Sequence, residues 1–296
     1  MKNKLTKYRP LKIFIKLTRY YLALAISFSA LAGYVFCSHT VDLDALYTFF
    51  GVFMLAGAAS ALNNYQERHT DALMVRTQNR PLPLRQIKPH TVILLAFTLF
   101  FIGSFLLYFG TTPMATFLGV FNLLWYNAVY TPLKKKTHYA ILVGSLTGAI
   151  PPMIGWTAAG GIILDLKIMF VAIFMFLWQI PHFWLILMKY GKDYERAGFP
   201  SLISGLNESR VKLIVFIWIL STSLSSMFFA FYHIISNTYL IVTLVLLNII
   251  LISYFYRSLF LKSLLFNYNF AFRSIYLYQT LILALLIIDA LKKSLF

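Results

Sequence analysis

Three side chains with oxygen ligands, Asn63, Glu67 and Asp71, form a row in the sequence. Because they are spaced by four, a helix would place them on one face, with successive residues about 6 Å apart. An amide oxygen and two carboxylates are hard ligands that suit Mg²⁺, which usually takes one or two carboxylates with water and substrate phosphate. The row predicts a magnesium site for a phosphorylated substrate.

Two arginines follow the row, Arg76 and Arg80, and they are also four residues apart. Guanidinium groups at this spacing can grip phosphate oxygens bidentately. A metal that holds a diphosphate, with arginines that take up the charge of a leaving group, would use this arrangement. The alternative is a polar helix end whose arginines meet lipid headgroups. For the basic run Lys134–Lys136 that alternative is favoured.

Acidic residues are scarce, since the chain has only nine, and four of them fall in two short segments. Glu67 and Asp71 are in the first segment, and Asp193 and Glu195 are in the second. With so few carboxylates, this clustering indicates a site rather than a solvated surface. Asp193 is therefore a further candidate metal ligand.

A second polar group lies inside the apolar stretch 167–188, which contains Gln179, Pro181 and His182. Polar side chains inside a membrane segment are costly and usually face an interior cavity, so Gln179 and His182 are candidates to face a substrate. The alternative for His182 is a packing histidine that bonds a carbonyl freed by Pro181. For Asn122, Asn127 and Tyr130 we expect interhelical hydrogen bonds.

These residues must be positioned by membrane helices. The chain has 296 residues, of which 60% are hydrophobic and only 12% are charged. An ordinary soluble domain is about 25% charged, so a soluble enzyme, a disordered regulator and a fibrous protein are excluded. Runs of about 20 apolar residues predict nine membrane spans. They are 20–37, 45–66, 90–110, 113–132, 140–159, 167–188, 212–232, 238–256 and 275–291.

The span 140–159 contains three glycines and the pair Pro151-Pro152. Glycine and proline are tolerated in membrane helices where neighbours satisfy the backbone. We therefore expect a kinked or broken helix here.

The net charge of +17 has two interpretations, nucleic-acid binding or membrane topology. Of the 26 basic residues, 23 fall on one side of the nine predicted spans, including seven in the N-terminal segment 1–19. This alternation predicts a cytoplasmic N-terminus and an outside C-terminus, and it argues against nucleic acid as a partner. The N-terminal segment is expected to form an interfacial helix. A single cysteine, Cys37, excludes an intrachain disulfide.

Taken together, these motifs resemble the UbiA superfamily of intramembrane prenyltransferases. The resemblance rests on four blocks, which are 63–82, 130–137, 148–156, and 178–184 with Lys192-Asp193-Tyr194 and 197–200 downstream. The third and fourth blocks are similar to the branch of the superfamily that farnesylates heme. Two departures are Glu67, where the family usually has Asp, and His69, where an acid is common. Asp193 lacks the second Asp of the superfamily motif, as is typical of the heme branch.

The resemblance implies a fold, an activity and a set of site residues. The fold is all-α, a single domain over 1–296 with nine transmembrane helices around a central cavity open to the cytoplasmic side. The activity is transfer of a farnesyl group from farnesyl diphosphate to a vinyl group of protoheme IX. The expected metal ligands for Mg²⁺ are Asn63, Glu67, Asp71 and Asp193. The expected diphosphate ligands are Arg76, Arg80, Lys134, Lys135 and Lys192. The expected cavity residues for heme and prenyl chain are Gln179, His182, Tyr130, Tyr194 and His69.

The implied surroundings are a bacterial inner membrane, with a heme A synthase or terminal oxidase assembly as a partner. The absence of a long Ser/Arg-rich transit segment favours bacteria over mitochondria. Two alternatives stay open. One is a related prenyltransferase that acts on a quinone precursor or a lipid. The other is a multi-pass transporter without chemistry, which leaves the row at Asn63, Glu67 and Asp71 unexplained.

Overall fold

Long apolar runs satisfy their backbone hydrogen bonds in lipid by forming helices. A computed structural model describes residues 10–200, 205–261 and 266–293, and within these ranges it contains helices and no strand. The elements are α1 (Pro10–Leu17), α2 (Tyr20–Ser38), α3 (Leu43–Gln66), α4 (Arg68–Asp71), α5 (Pro89–Gly110), α6 (Pro113–Leu124), a π-helical segment (Trp125–Tyr130), α7 (Thr131–Leu133), α8 (Ala140–Ala158), α9 (Leu166–Arg196), α10 (Glu208–Phe231), α11 (Thr238–Phe260) and α12 (Tyr268–Lys293).

Eight helices in the described part of the chain are long and apolar enough to cross a membrane. These eight are α2, α3, α5, α8, α9, α10, α11 and α12. Each matches one of the predicted spans, so the prediction of an all-α integral membrane protein is confirmed.

The remaining predicted span, 113–132, is divided among three successive elements. The helix α6 has 12 residues, the π-helical segment adds six, and α7 completes the run. A π turn widens the helix locally and often marks a functional site. Because no single helix covers this span, the number of nine membrane crossings stays a prediction.

The helix α8 runs continuously from Ala140 to Ala158 with Pro151 and Pro152 inside it, so of the expected kink or break the break is wrong and the kink stays a prediction. Proline has no N–H, so the carbonyl of Thr147 loses its usual partner four residues on. The side-chain amide of Asn122 donates to that carbonyl at 3.2 Å. This bond between α6 and α8 confirms the interhelical role expected for Asn122.

The glycines of α8 and α2 allow the two backbones to approach closely. A Cβ on Gly155 would collide with the carbonyl oxygen of Ala30, and one on Gly33 would collide with that of Pro152. Small residues at a helix contact are typical of membrane proteins, where close packing replaces the hydrophobic effect between helices. The glycines Gly33 and Gly155 therefore allow close packing of α2 and α8, and neither of them ends its helix.

Two large apolar clusters hold the bundle together. One is formed mainly by α9, α10, α11 and α12, with a few residues of α2 and α8, around fully buried side chains such as Phe174, Phe229 and Phe255. The other joins α2, α3, α5, α6 and α8 around side chains such as Leu107 and Ile154. A cavity of about 360 Å³ is lined by α2, α3, α6, the π-helical segment, α8, α9 and α12, and it therefore lies between the two halves.

The N-terminal basic segment is described only from Pro10 onward. The helix α1 precedes α2 directly, in agreement with the expected N-terminal helix. Residues 1–9 of that segment, and the basic residue Lys262 counted in a predicted loop, lie outside the described residues.

Candidate active site

The row at Asn63, Glu67 and Asp71 lies where α3 ends and α4 begins. The backbone N–H of Glu67 donates to the carbonyl of Asn63 at 3.0 Å, and that of Asp71 donates to the carbonyl of Glu67 at 2.7 Å. Four-residue hydrogen bonds therefore connect the three residues, as their spacing predicted. All three side chains are buried.

Each carboxylate of the row is paired with one cation. Lys134 Nζ lies 2.5 Å from Glu67 Oε1, and Arg80 Nη1 lies 2.6 Å from Asp71 Oδ2. Buried charges are stable only when they are paired. The loop after α4 and the end of α7 thus supply the counter-charges of the row.

Arg19 is a member of this site that was not predicted, because among the N-terminal basic residues it indicated only membrane topology. Its guanidinium donates to Asn63 Oδ1 at 2.9 Å and to the hydroxyl of Tyr126 at 3.4 Å. The residue sits between α1 and α2 with φ of 46°, which is unusual for a residue other than glycine. Strain of this kind is kept where the surroundings fix it, often at functional sites.

The end of α9 reaches the same polar region. The backbone N–H of Arg76 donates to Asp193 Oδ2 at 3.2 Å, and its guanidinium donates to the hydroxyl of Tyr194 at 3.4 Å. These bonds join the loop after α4 to α9. Asp193 is thereby brought to the polar region that also holds Glu67, as expected for a second acidic segment.

Burial and neighbouring charges oppose each other on the row. Burial disfavours the charged form of Glu67, but Lys134 and then Arg19 outweigh it, so the pKa of Glu67 is lowered. At Asp71 burial prevails over the attraction of Arg80, and the pKa of Asp71 is raised. Burial also lowers the pKa of Arg80. Glu67 is therefore the more firmly ionised of the two carboxylates.

The cavity has a polar end and a largely apolar body. Side chains that form the polar end are Arg19, Glu67, Arg76, Arg80, Tyr126, Tyr130, Lys134 and Tyr194. The body is lined mainly by aliphatic residues of α2, α3 and α8. Such a cavity can hold an anionic headgroup at one end and a hydrocarbon chain in the other.

Gln179 and His182 both line the cavity, as the sequence predicted. The imidazole of His182 stacks on Trp178, with ring centroids 5.7 Å apart, and its Nε2 lies 3.3 Å from the hydroxyl of Tyr276 on α12. Gln279, also on α12, lines the cavity as well. Tyr276 and Gln279 were missed because the sequence gives no signal that pairs α12 with α9.

Six candidate residues are not among those that line the cavity. Asn63, Asp71 and Asp193 are bonded to the lining residues Arg19, Arg80 and Arg76, respectively. The other three, His69, Lys135 and Lys192, are exposed. In addition, no group of three His, Cys, Asp or Glu side chains within 10–200, 205–261 and 266–293 forms a metal site on its own.

The model of the UbiA prenyltransferase family matches residues 21–287 of this chain. The chain belongs to the UbiA prenyltransferase family. As a member of that family it is a prenyltransferase, and the transporter alternative is set aside.

Relatives and solved structures agree with this assignment. A protoheme IX farnesyltransferase of Geobacter sulfurreducens is 39% identical over 67% of this chain and 73% of its own length. A structure of digeranylgeranylglyceryl phosphate synthase superposes with a TM-score of 0.74 at 18% identity, covering 95% of this chain and 99% of that one. A UbiA homologue from Archaeoglobus fulgidus bound to GPP and Mg²⁺ gives a TM-score of 0.67 at 12% identity, with coverage of 95% and 99%. These two structures therefore have the same fold as this chain.

Proposed function

We propose that this UbiA prenyltransferase transfers a farnesyl group from farnesyl diphosphate to a vinyl group of protoheme IX, giving heme O and diphosphate. The observation that carries the proposal is one cavity with paired acids and bases at one end and an apolar body behind them. The relative of Geobacter sulfurreducens, named for this reaction, supports the choice of substrates.

The donor's diphosphate would bind at the polar end. Four cations, Arg19, Arg76, Arg80 and Lys134, line it, and all four can donate to phosphate oxygens. The farnesyl chain would extend into the apolar body, where its burial is favourable. Lys135 and Lys192 are exposed and would meet the substrate only on its way in.

The oxygens of the row fit Mg²⁺. Asn63, Glu67, Asp71 and Asp193 offer hard oxygen ligands, and Mg²⁺ usually takes only one or two carboxylates beside substrate phosphate. The A. fulgidus homologue is bound to Mg²⁺ together with a prenyl diphosphate, which supports this choice. When bound, the metal neutralises charge that develops on the diphosphate.

The protein's own residues prepare the cleavage of the allylic C–O bond. Arg80 and Lys134 leave Asp71 and Glu67 for the diphosphate, and they stabilise its growing charge as the bond breaks. The apolar body keeps bulk water from the allylic cation. The terminal carbon of the heme vinyl group then forms the new bond to the farnesyl carbon.

The acceptor, protoheme, would lie against α9 near the polar end of the cavity. Gln179, His182, Tyr130 and Tyr194 line the cavity, and we assign them to the acceptor and the prenyl chain. His69 is exposed, so its expected role in the cavity has no support from its position.

The membrane orientation follows from charge. With 23 of 26 basic residues on one side of the predicted spans, we place that side, the N-terminus and the polar end in the cytoplasm of a bacterial inner membrane. The C-terminus is then outside. A heme A synthase or terminal oxidase assembly would take up the product, and no nucleic acid is involved.

A choice of acceptors tests this function. Purified protein is incubated with labelled farnesyl diphosphate and Mg²⁺, together with protoheme, an aromatic acid or a lipid alcohol. We expect label in the heme fraction and release of diphosphate. Label only in the aromatic acid or the lipid would assign the chain to another branch of the family, and absence of diphosphate release with every acceptor would contradict the proposal.

A further inference from the structure

Four polar side chains form a strip along the contact of α9 and α12, in an otherwise apolar wall of the cavity. Gln179 and His182 stand three residues apart on α9, and Tyr276 and Gln279 stand three apart on α12. All four line the cavity. We call these four residues the polar strip.

Contacts between the helices arrange the polar strip in two rungs. In the first rung, His182 Nε2 lies 3.3 Å from the hydroxyl of Tyr276. In the second, the amide of Gln279 donates to the sulfur of Met175 at 3.5 Å. Met175 is four residues before Gln179, so it lies on the same face of α9, about one helical turn away. The amide of Gln279 therefore contacts α9 about one helical turn from Gln179, and both side chains line the same cavity.

The amides have hydrogen-bonding capacity that the protein does not use. Gln279 donates to a thioether, which is a weak acceptor. Among the described residues, none forms a hydrogen bond with the Gln179 side chain, whose amide oxygen faces Gly148. A Cβ at Gly148 would lie 3.0 Å from that oxygen, so glycine leaves room for the amide. An ordered water needs two to four polar partners, and the strip offers them.

The polar strip lies next to the polar end of the cavity. The ring of Tyr130 lies 5.3 Å from Lys134 Nζ on one side and 6.0 Å from the ring of Phe183 on the other. Phe183 adjoins His182 in sequence, so one layer of side chains separates the strip from the diphosphate ligands. The carbon that leaves the diphosphate would then lie close to the strip.

The reaction of the proposed function requires one water at this place. When the vinyl group bonds to the farnesyl carbon, the positive charge moves to the vinyl carbon attached to the porphyrin. Either water adds there and gives the alcohol of heme O, or the neighbouring carbon loses a proton and gives an alkene. A water held in place beside the cation would favour addition over loss of the proton.

We infer that Gln179 and Gln279 hold the water that adds to this cation. The water oxygen forms the new C–O bond to the vinyl carbon attached to the porphyrin. The Tyr276 hydroxyl gives its proton to His182 Nε2 and takes one from the adding water, so that the alcohol is neutral and the imidazole holds the proton. Tyr276 holds the imidazole in place through its hydroxyl. The inference rests on the proposed function, since it concerns the last step of that reaction.

The product ratio tests the inference. Wild type, Gln179→Leu, Gln279→Leu and the double variant are incubated with farnesyl diphosphate and protoheme in oxygen-18 water, and the hemes are analysed by mass. We expect the labelled alcohol from wild type. In the double variant the ratio of alkene to alcohol should rise about tenfold or more, because loss of a positioned reactant commonly slows a step by at least that factor. The alkene is lighter than the alcohol by one water, so mass distinguishes the two.

Two further variants complete the design. Gln179→Glu keeps size and hydrogen-bonding capacity and should keep the alcohol as product. Thr280→Val removes a hydroxyl from the exposed face of α12 and should leave the ratio unchanged.

Each other outcome has a meaning. An unchanged ratio in the leucine variants, whatever their rate, would overturn the inference. Complete loss of prenyl transfer in folded leucine variants would also overturn it, because it would place the amides before bond formation. If wild type itself forms no prenylated heme, the proposed function fails instead.

Discussion

Lys134 Nζ lies 2.5 Å from Glu67 Oε1, and both side chains are largely buried, with 18% and 6% exposed. The sequence assigned these two residues to different partners, the diphosphate and the metal. Their pairing shows that each of the two is the counter-charge of the other in the structure. When a metal–diphosphate binds, Lys134 would pair with the diphosphate and Glu67 with the metal. Each buried charge would then have a partner both with and without the substrate.

Lys134→Gln should move the acidic limb of the pH profile. Lys134 favours the ionised form of Glu67 and holds its pKa down against burial. Without it the carboxyl takes up a proton at higher pH, and activity that needs the carboxylate is lost at higher pH. We expect the midpoint of the acidic limb, in a plot of kcat/KM against pH, to move upward by about one pH unit. Lys136→Gln changes an exposed lysine of the same run and should leave the limb in place. If the acidic limb of Lys134→Gln stays in place or moves to lower pH, Lys134 does not hold down the pKa of Glu67.

Arg19→Gln should weaken donor binding. Arg19 lines the polar end and donates to Asn63, so its loss removes a charged hydrogen-bond donor from the diphosphate site. A hydrogen bond of this type contributes about 1.5–3 kcal/mol, which corresponds to a roughly 10- to 100-fold weaker Kd for farnesyl diphosphate. Separate titrations with donor and protoheme measure the effect, and protoheme binding should not change. Arg85→Gln is the matched control, because Arg85 also has positive φ but is exposed. Equal weakening of both substrates would point to a folding defect.

Asp71→Asn should remove turnover while the protein still inserts in the membrane. The amide keeps the shape of the side chain but provides a weaker metal ligand, and it leaves Arg80 without its carboxylate. Loss of a group that stabilises the transition state typically costs about 100-fold or more in kcat. Single-turnover assays over a range of Mg²⁺ concentrations are the measurement. Asp44→Asn, at the opposite end of α3, should behave as wild type. Wild-type kcat and magnesium dependence in Asp71→Asn would exclude the carboxylate from the metal site.

Gly33→Ala should destabilise the bundle. A Cβ there meets the backbone of Pro152, which cannot move aside as a flexible side chain would. Overpacking of this kind costs about 1–3 kcal/mol, so the apparent Tm in detergent should fall. Gly191→Ala is the control, since a Cβ at that helical position meets nothing within 4 Å. Because alanine favours a helix over glycine by up to about 1 kcal/mol, its Tm should stay or rise. Equal Tm values for the two variants would contradict the close contact of α2 and α8.

Much of the fold follows from the sequence because lipid imposes long apolar helices. Eight of the predicted spans match single helices, and the four-residue spacing of Asn63, Glu67 and Asp71 survives at the junction of α3 and α4. The continuity of α8 through its prolines could not be predicted, because the partner of a freed carbonyl, Asn122, lies on another helix. Such compensation depends on tertiary contacts that hydropathy does not contain.

The site was predicted where its residues are close in sequence and missed where they are distant. Glu67 and Asp71 were found from their local spacing. Arg19 was hidden among seven basic residues of the N-terminal segment, and its φ of 46° could be seen only in the structure. Tyr276 was missed because its partner His182 is 94 residues away.

The central claim is that this chain farnesylates protoheme, and extracted heme tests it most directly. Heme is extracted from cells that express wild type or Asp71→Asn, separated by chromatography and identified by mass. We expect protoheme carrying a hydroxyethylfarnesyl group from wild type, and none above the level of untransformed cells from Asp71→Asn. Protoheme alone in both extracts, with wild-type protein present in the membrane and farnesyl diphosphate and protoheme supplied, would contradict the claim.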